Sequence, residues 1–134
     1  AVLLASSAQV LALKPDAAIL AGLDVGVVGP AAGSGASAPR GKVGVVGRSD
    51  ADGIAFEVRA FFPGNNGLAE DPVTGSLNAA LAQWLIGAGL APAQYVASQG
   101  TCLGRAGRVH VQQEGDTIWV GGHSVTCMAG EVLL

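Results

Sequence analysis

A chain of 134 residues that is 50% hydrophobic yet only 4% aromatic has the length for one domain, with a core that Ala, Val and Leu must fill. Charged residues make up 13% and sum to −3, against ~25% charged in an average soluble domain, so part of the surface is expected to lie under a second domain or a second copy. Without a basic run, or basic residues interleaved with aromatic ones, there is no case for nucleic acid, and no apolar stretch reaches the ~18 residues that a membrane span needs.

The apolar run 1–5 reads as a strand. Its lack of a basic flank makes it a poor secretory signal, so a cytoplasmic setting is expected, and the absence of an initiating Met points to a processed, trimmed or excised chain. Ser7 is placed to cap a short helical turn through Leu13. Pro15 suits the first position of a helix over 16–23, with Asp16 in the first turn, where acids are favoured. Residues 25–28 are rich in Val and read as a strand ending at Gly29-Pro30. Residues 30–41, PAAGSGASAPRG, carry no large apolar side chain and read as a mobile loop between strands rather than a domain linker.

Residues 42–48 and 54–62 read as strands joined by the hairpin turn Ser49-Asp50-Ala51-Asp52-Gly53. In the second, Ile54, Phe56, Val58 and Ala60 share one face and Ala55, Glu57, Arg59 and Phe61 the other. Residues 63–75 read as irregular. After a helix over 76–88, strands are expected at 95–98, 107–113 and 117–120, the last two joined by a tight turn at Glu114-Gly115-Asp116. A final strand is expected over 123–134, broken near Gly130.

The helix over 76–88, SLNAALAQWLIGA, decides the predicted architecture. Its apolar residues cover every face and leave only Asn78 and Gln83 polar, so it is expected to be buried nearly all round. The predicted fold is α+β, a curled, mostly antiparallel, barrel-like sheet wrapped around one central buried helix, with the helix N-terminus at the mouth of the barrel.

That mouth carries the chemistry. Asp71-Pro72-Val73-Thr74-Gly75-Ser76 places a carboxylate, two hydroxyls and unpaired backbone N–H groups at a helix N-terminus, which attracts anions. Asp71 is the candidate catalytic acid-base group, and Thr74, Gly75 and Ser76 are the candidate substrate-binding residues. A proton-moving enzyme acting on a small carboxylate needs this combination. The plainer reading makes Asp71 a helix cap, with Thr74 or Ser76 as alternative caps, and makes Glu70 a solvated neighbour. His110 reads as a surface residue, and His123, after Gly121-Gly122, is a weaker candidate for the site. Arg105 and Arg108 read as parts of a solvated turn. Cys102 and Cys127 lack CxxC spacing and read as buried thiols. No His, Cys and Asp cluster has ligand spacing, so no metal is expected.

Arg59-x-Phe61-x-Pro63, then Glu70-Asp71-Pro72-Val73-Thr74-Gly75-Ser76-x-Asn78-Ala79-Ala80, then Gln99-Gly100-x-x-x-Gly104-Arg105 resemble the phenazine-biosynthesis PhzF-like isomerases. The likeness runs along the whole chain, but as the C-terminal half of a family member. It implies a fold related to diaminopimelate epimerase, with two similar halves, each a curled sheet around a helix, and an active site between them. It also implies that Asp71 stands at the cleft and that Gly75 and Ser76 hold the substrate, with no cofactor. The family's principal acid-base residue is a glutamate of the N-terminal half, which is not in this chain. Two functions follow as expectations. The first is half of a cofactor-independent isomerase that moves a proton on a small carboxylate-bearing substrate. The second is a stand-alone, non-catalytic module that binds a small anion or assembles with a partner. The partner expected in either case is an N-terminal PhzF-like domain or a second copy in a homodimer.

Overall fold

The structure, a computed structural model, describes residues 1–22, 42–64 and 67–132. In chain order the elements are β1 (Val2–Leu4), α1 (Ser7–Ala12), α2 (Ala17–Gly22), β2 (Val43–Arg48), β3 (Phe56–Gly64), β4 (Gly67–Asp71), α3 (Gly75–Gly87), β5 (Gln94–Gln99), β6 (Gly107–Glu114) and β7 (Thr117–Gly121), with a single 3-10 turn at Thr101–Leu103. The strand and loop expected over 25–41 lie outside the described residues.

The strands form one mixed sheet in the order β1-β2-β3-β5-β6-β7. β1 with β2 and β3 with β5 run parallel, and the other neighbours antiparallel. β3 is the spine. β2 lines one of its edges, while β5 takes the other edge over Phe56–Val58 and β4 continues along it from Ala60 to Gly64. The register puts Asp71 opposite Ala60 and Gln99 opposite Val58. The C-terminal ends of β4 and β5 therefore meet beside Arg59.

The alternation read along β3 holds, and both faces are buried. Phe56 and Val58 join Val46, Ala97, Val109 and Val111 against Leu81, Ala82 and Leu85 of α3. On the opposite face Phe61 and Val45 pack with Val10 of α1 and Leu20 of α2. The two outer helices have local caps. Ser6 rather than Ser7 caps α1, its hydroxyl accepting from the Gln9 N–H at 3.4 Å. Asp16 precedes α2 and accepts from the N–H groups of Ala18 and Ile19 at 2.8 and 3.1 Å.

The barrel does not form. α3 lies on one face of an open sheet, with Leu81 2% and Leu85 1% exposed but Trp84 42% exposed. The helix is apolar on every side, yet its sides differ in size. Leu77, Leu81 and Leu85 recur every four residues and point inward with Asn78 and Ala82, while small Ala80 and Gly87 lie outward beside Gln83 and Trp84. The leucine spacing rather than polarity marks the buried stripe, since Trp84 lies outward and Asn78 inward. Three other expectations also fail. Residues 67–71, expected to be irregular, form β4, and residues 123–132, expected to be strand, have no regular structure. Both cysteines are exposed and free rather than buried. Among the described residues no helix is long and apolar enough to cross a membrane.

Tyr95 gives the core a pH signature. Its ring meets Phe56 edge-on at 5.2 Å, and burial pushes its phenol up from 10.0 to about 12. A raised phenol pKa means the folded state favours the neutral form. Stability from this group is complete below about pH 10 and is lost towards about pH 12. Thermal melts across that window should show the loss in the wild type and a flatter profile in Tyr95→Phe. Equal losses in both would assign the alkaline transition to another group.

Candidate functional site

The junction of β4 and β5 builds the site. Asp71 ends β4, and its Oδ1 accepts from the Val73 N–H at 3.2 Å, which tightens the turn. Thr74 holds the N-cap position of α3 in an extended conformation, but its hydroxyl does not cap the helix. The first helical bond runs from the Asn78 N–H to the Thr74 carbonyl at 3.1 Å. The N–H groups of Gly75, Ser76 and Leu77 therefore have no acceptor among the described residues. They carry the partial positive charge of the helix end.

Gln99 holds this turn in place. It is 0% exposed, and its carboxamide makes four hydrogen bonds. Its Oε1 accepts from the Thr74 N–H at 3.1 Å and from Asn78 Nδ2 at 2.9 Å. Its Nε2 donates at 3.0 Å both to the Asp71 carbonyl and to the Thr74 hydroxyl. The Thr74 hydroxyl is thus turned to Gln99 and makes no capping bond to the helix. Gly100 follows with φ +90, and a Cβ there would stand 2.6 Å from the Pro72 carbonyl oxygen, so only glycine lets β5 approach the turn this closely. The sequence reading assigned Gln99 and Asn78 no function. The available signal was a polar residue at a core-facing position, Gln99 after Tyr95 and Ala97 on β5 and Asn78 in the leucine stripe of α3. Such groups need partners.

Asp71, Thr74 and Ser76 line one cavity of about 320 Å³. Phe61, Phe62 and Leu77 give it an apolar wall, and Lys42, which the sequence reading passed over, stands at its rim. Gly75 is exposed, with nothing within 4 Å of where a Cβ would be. Three of the four residues singled out in the sequence, Asp71, Thr74 and Ser76, thus line one cavity, beside free N–H groups and apolar surface, and Gly75 lies between them in the chain without lining it.

Glu70 does not behave as a solvated neighbour. It forms a two-pronged ion pair with Arg59, Nε to Oε1 at 2.9 Å and Nη2 to Oε2 at 2.8 Å, with side chains 6% and 11% exposed. Arg59 Nη1 also donates to the carbonyls of Val10 and Leu13 at 3.1 and 2.8 Å, and its guanidinium lies 4.8 Å over the Phe61 ring. The hydrogen bonds to Glu70 hold the Arg59 pKa above its ordinary value. This pair ties β3, β4 and the end of α1 together and leaves Asp71 as the acid facing the cavity.

The remaining candidates lie elsewhere. The rings of His110 and His123 meet edge-on at 5.3 Å in a groove on β5, β6 and β7 that shares no lining residue with the Asp71 cavity. Arg105 is exposed in its turn, and Arg108 Nη1 donates to the Ser98 hydroxyl at 3.1 Å. Among the described residues no three His, Cys, Asp or Glu side chains converge to hold a metal ion.

Comparison with known proteins agrees with the motif. The family model PhzC-PhzF, described as phenazine biosynthesis-like protein, matches residues 1–130. A Pasteurella multocida (strain Pm70) protein named as an uncharacterized isomerase is 37% identical over 78 residues, which cover 58% of this chain and 27% of that protein. A crystal structure described as a phenazine biosynthesis protein of the PhzF family from Enterococcus faecalis matches with a TM-score of 0.63 at 26% identity, covering 90% of this chain and 38% of that one. The chain thus spans well under half the length of these two relatives.

Proposed function

This chain belongs to the phenazine biosynthesis-like family PhzC-PhzF, and from that premise we propose that it forms the C-terminal half of a cofactor-independent isomerase that moves a proton on a small carboxylate-bearing substrate. The observation that carries the proposal is that Asp71 shares one cavity with Ser76 and the open end of α3. The substrate carboxylate accepts from the N–H groups of Gly75 and Ser76, where the helix dipole favours negative charge. The Ser76 hydroxyl adds a donor, and Phe62 and Leu77 receive the apolar body. Asp71 takes or returns the proton at a neighbouring carbon. The relative named as an isomerase supports the reaction class.

A charge-assisted hydrogen bond contributes ~1.5 kcal/mol or more, which is about tenfold in affinity. Acetate titrated against the amide signals of Gly75, Ser76 and Leu77 should therefore bind about tenfold more weakly to Ser76→Ala. Unchanged affinity would leave Ser76 with no part in binding, and no response in the wild type would remove the anion site altogether.

The cavity opens outward, and the family resemblance puts a further acid-base group, a glutamate, in an N-terminal half. In this reading a partner supplies it, either an N-terminal PhzF-like half or, for this chain alone, a second copy. Trp84 at 42% and Val73 at 44% exposure are apolar surface that such a partner would cover. Sedimentation velocity at micromolar concentration should show a dimer of the isolated chain that binds anions with little or no turnover. A 13.2 kDa monomer would reject the second copy, and brisk isomerisation by that monomer would reject the need for a partner.

A further inference from the structure

On the sheet face opposite α3, a second cavity of about 320 Å³ opens between α1, the β2–β3 turn and the end of β5. It shares no lining residue with the Asp71 cavity. One wall is Glu57, 5% exposed, held in mid-sheet between Gly47 of β2 and Ser98 of β5. Its Oε1 is buried and has no hydrogen-bond partner among the described residues. Buried carboxylate oxygens are seldom left in that condition, and each calls for a donor.

The next residue across the sheet from Ser98 is Arg108, which also lines the cavity. Arg108 Nη1 donates to the Ser98 hydroxyl at 3.1 Å and to the Gly107 carbonyl at 2.9 Å. Its Nε and Nη2 have no acceptor among the described residues. Ser98 in turn exchanges a hydrogen bond with Thr101 at 3.3 Å. One row across the sheet therefore holds a buried acceptor without a donor and, at the exposed rim, a guanidinium with two nitrogens left free of acceptors among the described residues. Their backbones stand two strand spacings apart, roughly 10 Å. A simple cation would match Glu57 and the exposed Asp50 at the same lining but face the guanidinium. A simple anion would match Arg108 and leave Glu57 unpaired.

We propose that this cavity binds a small zwitterion with the chemistry of a free α-amino acid, its ammonium donating to Glu57 Oε1 and its carboxylate accepting from Arg108.

The test is a set of titrations of the isotope-labelled chain with glycine, trimethylglycine, methylammonium and acetate. The signals to follow are the amides of Glu57, Ser98 and Arg108 and the Arg108 side-chain N–H. Glycine should give saturable shifts. Trimethylglycine keeps both charges but has no N–H, and should give none. Methylammonium and acetate should bind about tenfold more weakly or worse, since each loses one charge-assisted contact. Glu57→Gln should weaken glycine by about tenfold or more. Should that variant fail to fold, Arg108→Gln on the exposed rim gives an independent reading, with glycine reduced to the affinity of methylammonium. The proposal is overturned by the absence of a saturable glycine response, by equal binding of trimethylglycine, or by glycine affinity that survives either substitution.

Discussion

Asp71→Asn should lower turnover by ~10²-fold or more in the protein that carries both halves, the scale for losing a general acid or base. Asparagine keeps the shape of the side chain and its hydrogen bond from Val73, because a carboxamide oxygen still accepts. What it removes is the titratable proton. Since Asp71 Oδ1 holds only that one N–H, at 3.2 Å, the stability change should stay within ~1 kcal/mol. Solvent-deuterium incorporation into the substrate is the informative measurement, because it reports proton transfer whether or not product release limits the rate. A variant that turns over normally but melts much earlier would make Asp71 a structural cap.

The largest loss of stability is expected at Glu70. Glu70→Gln leaves the Arg59 charge nearly buried without its carboxylate, and breaking one side of such a pair costs about 3 kcal/mol or more. Arg59 keeps its bonds to the Val10 and Leu13 carbonyls, which places the effect near the lower end of that range. Urea unfolding measures it directly. Adding Arg59→Met should restore much of the loss, since an apolar side chain of similar reach can fill the site between α1 and Phe61. A single-variant loss below about 1 kcal/mol, the range of exposed pairs, would mean that water reaches the guanidinium.

The parts of this fold that follow local rules were legible in the sequence. Alternation in β3 named both of its buried faces, and the turn at Glu114-Gly115-Asp116 was placed where Gly115 takes φ +58. Asp71, Thr74 and Ser76 of the motif line one cavity. What failed depends on long-range partners. β4 was missed because Gly67-Leu68-Ala69-Glu70-Asp71 has no β-branched residue and no clean alternation. It is a strand because β3 offers it an edge. Arg59 and Glu70 stand eleven positions apart, and only the β3–β4 register brings them together. The barrel was inferred by treating every apolar residue of α3 as equal, whereas leucine spacing decides which side is buried. The exposure of Cys102 and Cys127 follows from their places in a surface turn and in a segment without regular structure.

The shared edge of β3 also has a consequence for the order in which the molecule assembles. β3 and β4 are neighbours in sequence, so closing the loop between them costs little chain entropy. The strand that brings Gln99 to the Asp71 carbonyl arrives 28 positions later, after α3 has been laid down. Non-local pairings of this kind tend to form late. Asp71 and Thr74 therefore gain their fixed relation only when β5 docks, and a chain arrested before that step has the motif without the pocket. An anion that binds the finished pocket but not the arrested chain would draw the population towards the completed sheet by mass action. The slowest amide protons to exchange in its presence would then include those of β5, well outside the pocket's own lining.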